Sequence, residues 1–385
     1  MDLRPAYRAL VASPADLARC RNADGIAPML QLLRQLWHCG SLDDNALIGA
    51  LEQANAETLD LPPDALAGQW LPSAYRASDR SLQWCLPLGP PTRPFLEDYL
   101  GDCRQRDPVN ALIRPRTAMA PLLAAAPRQG PCAAGFIFHL SRCGSTLVSG
   151  ALSELDRSCV LSESPLLTAV LLDAGLTDAE KRALLPQLVQ LQGAAFPGRN
   201  AVIVKWNAWD LACWPLILQA CPDVPRVCLF REPAEILASH AVSAGRHMAG
   251  DPSMRSLAPM FAPPAADEDL LSLRIRVLQG LMAAMAALSA QEGGTTLDYA
   301  QLNADAILAL APRFGLSADA AGQVCLRARL QRHSKQPEAR FVPDAARKRE
   351  HFAADERQRI DRALAPWHRA LQAHASATSP THAPA

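Results

Sequence analysis

The sequence predicts an α/β fold: a parallel sheet flanked by helices, preceded by a mostly helical N-terminal region. Two observations predict it. Five short apolar runs follow one another after residue 134, and helix-like stretches separate them. Short apolar runs alternating with helices mark a parallel sheet covered on both faces.

Taken in order, residues 28–37 and 45–51 carry helix-like apolar spacing. Residues 87–94 (PLGPPTRP) hold too many prolines for a regular element. Residues 118–130 turn to Ala and Pro, which places a boundary near 128. The expected organisation is therefore an N-terminal helical and irregular region over 1–128, an α/β domain over 129–375 and a disordered tail over 376–385 (SATSPTHAPA). The apolar runs are 135–140 (GFIFHL), 159–161, 201–205 (AVIVK), 226–230 (RVCLF) and a weaker 295–299 (TTLDY). Helices are expected over 145–155, 178–191 (interrupted at Pro186), 210–220, 232–244 and 268–290, with a charged amphipathic helix over 353–373. Residues 248–266, rich in Pro and Met, read as a long loop of the kind used as a lid or binding loop. The alternative is that its Met and Phe side chains are core contacts.

Composition excludes several functions. Lys plus Arg equal Asp plus Glu at 38 each, so the neutral chain lacks the basic footprint of a general nucleic-acid binder. No apolar run suggests a membrane span, and the N-terminus does not read as an export signal. The eleven cysteines form no CxxC pair and no zinc spacing, so no metal is expected. They read as reduced thiols of a cytoplasmic protein, with Cys213, Cys221 and Cys228 filling the core.

In an α/β sheet, ligands bind at the carboxyl ends of the strands. After the first run comes Ser141-Arg142-Cys143-Gly144-Ser145-Thr146-Leu147, opening a helix. Small residues let consecutive N–H groups point at one anion, and the helix N-terminus adds partial positive charge. Ser145 and Thr146 hydroxyls and the Arg142 fork suit the same oxygens. The pattern G-x-x-x-x-G-K-[ST] is absent: Ser145 stands at its Lys position and His139 at its first Gly. A magnesium triphosphate therefore fits poorly. The bland alternative is a Ser-capped helix. After the fourth run comes Arg231-Glu232-Pro233, with Ser239 eight residues beyond Arg231. Both could meet one phosphate if Arg231 bends back along the helix. The bland alternative is an Arg ion pair with a nearby carboxylate.

Together the two segments, about 90 residues apart, resemble the sulfotransferase family, whose donor is 3′-phosphoadenylyl sulfate (PAPS). SRCGSTL is similar to the family's donor loop, and FREPAEILAS to its 3′-phosphate segment. The resemblance covers about residues 133–350 and implies a P-loop NTPase-like α/β fold with no Mg-bound triphosphate. Carried over by position, Arg142, Ser145, Thr146 and the amides from Cys143 through Gly144 to Leu147 would hold the 5′-phosphosulfate, and Arg231 and Ser239 the 3′-phosphate. The third donor contact would come from Lys335 or from Arg347-Lys348-Arg349.

Sulfuryl transfer needs a cation at the leaving oxygen and a base for the acceptor proton. Arg142 and Lys205, the last residue of the third run, are placed for the first role. Glu163, after the second run in LSESPLL, resembles the base of the tyrosylprotein and several carbohydrate sulfotransferases. The cytosolic type has a His two residues after the strand Lys; this sequence has Asn207 there. His240 and His139 are the weaker candidates for base. Glu163 could instead only cap the following helix. The expected function is sulfuryl transfer from PAPS to a hydroxyl or amine of a small-molecule or carrier-bound acceptor, with no nucleic-acid or membrane partner. The rivals are an ATP-using kinase-like enzyme and a non-catalytic nucleotide-binding scaffold on the same fold. Acceptor identity and oligomeric state are not written in the sequence.

Overall fold

A computed structural model describes residues 2–126, 130, 132–332, 348 and 350–378. The expected disordered tail lies largely outside these residues. By its internal contacts the chain divides into two compact units, one of Met1–Gly130 with Pro165–Asn200, the other of Pro131–Ser164 with Ala201–Ala385.

The first unit opens with helices Arg4–Val11, Pro14–Arg21, Ile26–Leu36 and Asp44–Ala56. It then holds an antiparallel sheet of β1 (Leu71–Arg76), β2 (Ser81–Cys85) and β3 (Arg116–Ala118), in that order across the sheet. The sequence did not announce this sheet: β1 carries Pro72 and a register shift between Pro72 and Ala74, and β3 has three residues. Helices Pro165–Leu172 and Asp178–Ala194 pack with this unit. Gln192 Nε2 donates to the Pro72 carbonyl at 3.0 Å, Gln187 Nε2 to the Leu122 carbonyl at 2.8 Å, and Tyr75 Oη to Asp173 at 2.6 Å. A capping box between Thr177 and Glu180 starts the second helix. That helix runs unbroken through Pro186, where an interruption was expected. Burial of Leu184, Leu185, Leu188, Val189 and Leu191 offsets the hydrogen bond that proline removes.

The second unit is α/β. Its five strands are β4 (Gly135–His139), β5 (Ser158–Ser162), β6 (Ala201–Lys205), β7 (Arg226–Phe230) and β8 (Gly294–Asp298). They lie in the order β5-β6-β4-β7-β8, and every neighbouring pair is parallel. The four strands β4 to β7 are buried along their whole length, as their continuous apolar character requires. Helices Ser145–Leu152, Trp214–Ala220, Pro233–Val242 and Leu270–Ser289 follow β4, β6 and β7. From β4 the chain runs out to β5, returns to β6 beside β4, then crosses to β7 on β4's other side. The strand order thus reverses beside β4, and sheets of this kind bind ligands at the carboxyl ends of the strands at such a switch point.

Residues 246–261 form three short 3₁₀ turns rather than an open loop, and Met248, Met254 and Phe261 are buried core contacts. Helix Leu270–Ser289 is long and apolar enough to cross a membrane by length and composition. Here it buries Leu273, Val277, Leu278, Leu281, Met282 and Met285 and packs on helix Ala354–Thr378. The expectation that every cysteine is reduced is corrected: Cys132 and Cys221 form a disulfide across 89 residues. Their partnership is set by the fold, which brings the approach to β4 beside the end of helix Trp214–Ala220. Nine other cysteines are free, seven of them buried.

Gly135 begins β4 because a side chain there has no room. A Cβ would lie 2.7 Å from Cγ of the buried Phe314 ring. Gly135→Ala is expected to destabilise the second unit by about 1–3 kcal/mol through overpacking. A lower urea midpoint measures it; an unchanged midpoint would show that Phe314 can move aside.

Candidate active site

The loop after β4 has an unusual backbone. Ser141 and Arg142 have φ of +66° and +50°, and Gly144 has +82°. Two non-glycine residues in the left-handed region are uncommon and cost energy. Local bonds hold them there. The Ser141 N–H donates to His139 Nδ1 at 3.0 Å, and the Cys143 thiol donates to the Leu229 carbonyl at 3.2 Å. Burial pushes the Cys143 thiol up to about 12, so it is a structural fastener and not a nucleophile. A Cβ at Gly144 would come within 2.7 Å of Leu302 Cδ1 and 2.8 Å of Tyr299 Cδ2, so only glycine fits. Helix Ser145–Leu152 starts immediately after, and no side chain caps it. Its first-turn N–H groups, its partial positive charge and the buried hydroxyl residues Ser145 and Thr146 face the anion-binding side of such a turn.

Beside the loop lies a charged cluster built by strand register. Lys205 pairs with Ile137 on β4 and with Ser162 on β5. Glu163 therefore comes one residue past the β5 end, with φ of +55° and its N–H on the Lys205 carbonyl at 2.7 Å. This turns its carboxylate onto the Lys205 ammonium: Oε1 and Nζ are 2.7 Å apart. Lys205 Nζ also donates to Thr146 Oγ1 at 3.1 Å, which ties the cluster to the loop. His139 Nε2 stands 3.5 Å from the same Glu163 oxygen. Because His139 Nδ1 accepts from Ser141, the neutral ring carries its proton on Nε2, facing the carboxylate. Burial would raise the Glu163 carboxyl, but the Lys205 ammonium and His139 outweigh it and hold it well below the usual range. Burial pushes His139 down. Lys205 has no exposed surface, whereas the Glu163 side chain keeps a fifth of its own. The carboxylate is thus the member of the pair that a ligand can reach.

The Arg231 segment differs from its expected arrangement. Arg231 and Glu235 are both buried; Nε and Nη2 of Arg231 lie 2.6 and 2.5 Å from Glu235 Oε2. The guanidinium stacks over the Tyr299 ring at 4.1 Å and reaches the Arg142 carbonyl at 3.4 Å. Ser239 Oγ donates to the Glu235 carbonyl at 2.8 Å. Arg231 therefore lies against the Gly144 loop, as expected, but Glu235 stands between it and Ser239. The reason is helical spacing: positions 235 and 239 share one face, and 235 meets the guanidinium first. The ion-pair alternative is what this conformation contains. Arg142 Nη2 donates to the Ser243 carbonyl at 2.6 Å, and burial lowers its guanidinium.

Asn207 is structural: its N–H and Nδ2 both donate to Asp210 and start the turn Ala208–Cys213. His240 Nδ1 accepts the Gly245 N–H at 3.2 Å. Lys335, Arg347 and Arg349 lie outside the described residues. Sequence reasoning missed four members of this region. Tyr299 ends the fifth apolar run, so the strand-end rule could have found it, and Leu302 shares its turn. Glu235 was legible as the i+4 partner of Arg231. For His247 no sequence signal exists.

A scan against models of protein families finds no match, and no curated protein matches the chain.

Burial pushes His247 down to about 3, with a contribution from His139. Between that value and the ordinary histidine value near 6.5 the unfolded chain holds a proton that the folded chain refuses, so stability falls as pH drops through this window. His139, lowered in the same direction, adds to the loss. His247→Phe is expected to flatten the decline between about pH 6.5 and 4, an effect on the order of a few kcal/mol. Urea midpoints measured across that range check it; an undiminished slope would assign the loss to other groups.

Proposed function

We propose that the chain is a sulfotransferase, with the loop 141–147 as a phosphate loop of the P-loop type. The observation that carries this reading is a single convergence. An anion-favouring loop, a buried ammonium and a partly exposed carboxylate meet at the carboxyl ends of β4, β5 and β6, joined through Thr146, Lys205 and Glu163. The residues fit a phosphosulfate: the loop supplies N–H donors and hydroxyls, and Lys205 supplies the cation. PAPS, when bound, supplies the sulfuryl group.

The chain's own residues would then act in order. Amides of 143–147 with Ser145 and Thr146 bind the anion. Arg142 is one cation at its rim and Lys205 the other, placed to stabilise charge on the leaving oxygen. In the resting site Lys205 keeps Glu163 ionised. Drawn towards an anion in the loop, the ammonium weakens its hold on the carboxylate, whose proton affinity then rises towards what a general base needs. Glu163 Oε takes the acceptor proton as the new S–O bond forms and the bond to the donor phosphate breaks. Arg231 and Ser239 hold the 3′-phosphate in this reading, Glu235 yielding the guanidinium to it, with Lys335 or Arg347–Arg349 as the third contact.

The acceptor we read as a soluble hydroxyl or amine compound, free or carrier-bound, rather than nucleic acid or membrane. Nine free cysteines favour the cytoplasm; the Cys132–Cys221 bridge weighs on the other side. Neither β6, ending in Lys205, nor β7, running into Arg231, offers the strand-end Asp that a magnesium-dependent kinase uses.

Titration against PAPS and against ATP with Mg²⁺ tests the reading: PAPS alone should bind, and a metabolite extract should yield a product heavier by one SO₃. Binding of ATP with Mg²⁺ instead would favour the kinase reading, and binding of neither, or binding without turnover, the scaffold. Glu163→Gln is expected to slow transfer by about 10²–10⁴ with donor affinity nearly unchanged; comparable turnover would remove Glu163 from the role. Arg231→Ala is expected to weaken donor binding by about 1.5–3 kcal/mol. Glu235→Gln, which loosens the guanidinium, should leave donor binding equal or tighter. If both variants weaken it alike, the pair is a structural strut and the 3′-phosphate assignment falls.

A further inference from the structure

One side chain near this cluster has no partner for either of its polar atoms. His247, in the turn Arg246–Met248, is 3% exposed, and neither Nδ1 nor Nε2 has a hydrogen-bond partner among the described residues. Two unmet polar atoms on one buried ring are costly, and native structures pair such atoms with protein, water or a ligand. The turn that holds the ring is itself well fixed. The Met248 N–H donates to the Gly245 carbonyl at 2.9 Å, and Arg274 Nε to the Met248 carbonyl at 3.3 Å. A Cβ on Gly245 would stand 3.0 Å from the ring, so the turn packs tightly against it. His240 packs edge-on against it at 5.3 Å and is oriented by the Gly245 N–H. On another side lies the Trp209 ring at 5.5 Å, whose Nε1 is also buried without a partner. Arg246 reaches over Trp209.

The ring belongs to the neighbourhood of the reacting groups. The charges of His139, Glu163 and Arg142 all act on it. Arg142 bonds the Ser243 carbonyl, four residues before it in the chain, and Trp209 lies just beyond the β6 end that carries Lys205. A neutral imidazole presents one N–H and one lone pair, and an indole one N–H. A sulfate or carboxylate, which only accepts, would leave the lone pair unmet. An ammonium, which only donates, would leave both N–H groups unmet. The two ring nitrogens point in divergent directions, so one group meets only one of them; a neutral hydroxyl, which both donates and accepts, suits either.

We propose that His247, with Trp209 beside it, binds the hydroxyl of the acceptor and holds it towards Glu163. This rests on the sulfotransferase reading. Burial keeps His247 uncharged above about pH 4, so the ring presents both a donor and an acceptor throughout the working range. It is a binding and positioning residue; the proton goes to Glu163.

The test uses the full chain with ring-¹⁵N histidine, with and without adenosine 3′,5′-bisphosphate, and phenol as the hydroxyl probe. Phenol should shift the His247 ring nitrogens, and benzene, of the same shape without the hydroxyl, should not. His247→Phe should weaken phenol binding about tenfold or more while leaving bisphosphate binding unchanged. His247→Gln, which keeps a donor and an acceptor, should recover part of it. Absence of phenol binding at millimolar concentration, equal shifts from benzene, or wild-type phenol affinity in both variants would overturn the proposal. Phenol binding at His247 without bisphosphate binding would instead overturn the sulfotransferase reading and leave the hydroxyl site standing.

Discussion

A lysine ammonium with no solvent exposure is the constraint on which the site is built. Left alone at the end of β6, the buried Lys205 charge would cost on the order of several kcal/mol. Glu163 offsets this, and to do so it sits one residue past β5 with a left-handed backbone. That position follows from register: Ser162 pairs with Lys205, so the next residue is the first free to turn over the strand end. Thr146 then ties the same ammonium to the helix after the loop. Sheet pairing, side-chain charge and loop conformation are thus one coupled arrangement. Removing either charge would strand the other in a low-dielectric pocket.

The same coupling sets the protonation pattern. Two imidazoles lie near one carboxylate, and burial keeps both neutral while the lysine keeps the carboxylate ionised. His139 accepts the Ser141 N–H at Nδ1, and its Nε2 faces Glu163 at 3.5 Å without closing a hydrogen bond. The positive charge of the cluster therefore resides on Lys205. In the proposed reaction an anion at the loop would compete for this cation and so link its binding to the basicity of Glu163.

Much of the second unit is legible in the sequence because parallel strands buried on both faces must be continuously apolar. Residues 201–205 and 226–230 coincide with β6 and β7, and the other three strands begin or end within one residue of their runs. The strand-end rule points in turn to the loop, Glu163 and Lys205. The antiparallel sheet of the first unit is illegible for the opposite reason. Its strands are short, one contains a proline, and their pairing depends on partners up to 37 residues away. The same holds within the site. Cys132 and Cys221, Arg231 and Tyr299, and Trp209 and His247 meet only through the fold, so spacing along the chain carries no trace of them.

Backbone strain gives an independent line of argument. Six described non-glycine residues have positive φ, and three of them, Ser141, Arg142 and Glu163, stand at the ends of β4 and β5. Glycine would relieve each at once, yet each position keeps a polar side chain. The left-handed turn brings the Ser141 N–H onto His139 Nδ1, and Glu163 brings a carboxylate back over its neighbour's strand end. A helix capped merely for stability needs neither: one Ser or Asp in an extended conformation does it without strain, as Asp269 and Asp319 do elsewhere in this unit. Three strained polar residues gathered at the strand ends beside a buried ion pair fit the pattern in which stability is given up locally to hold polar groups in fixed positions.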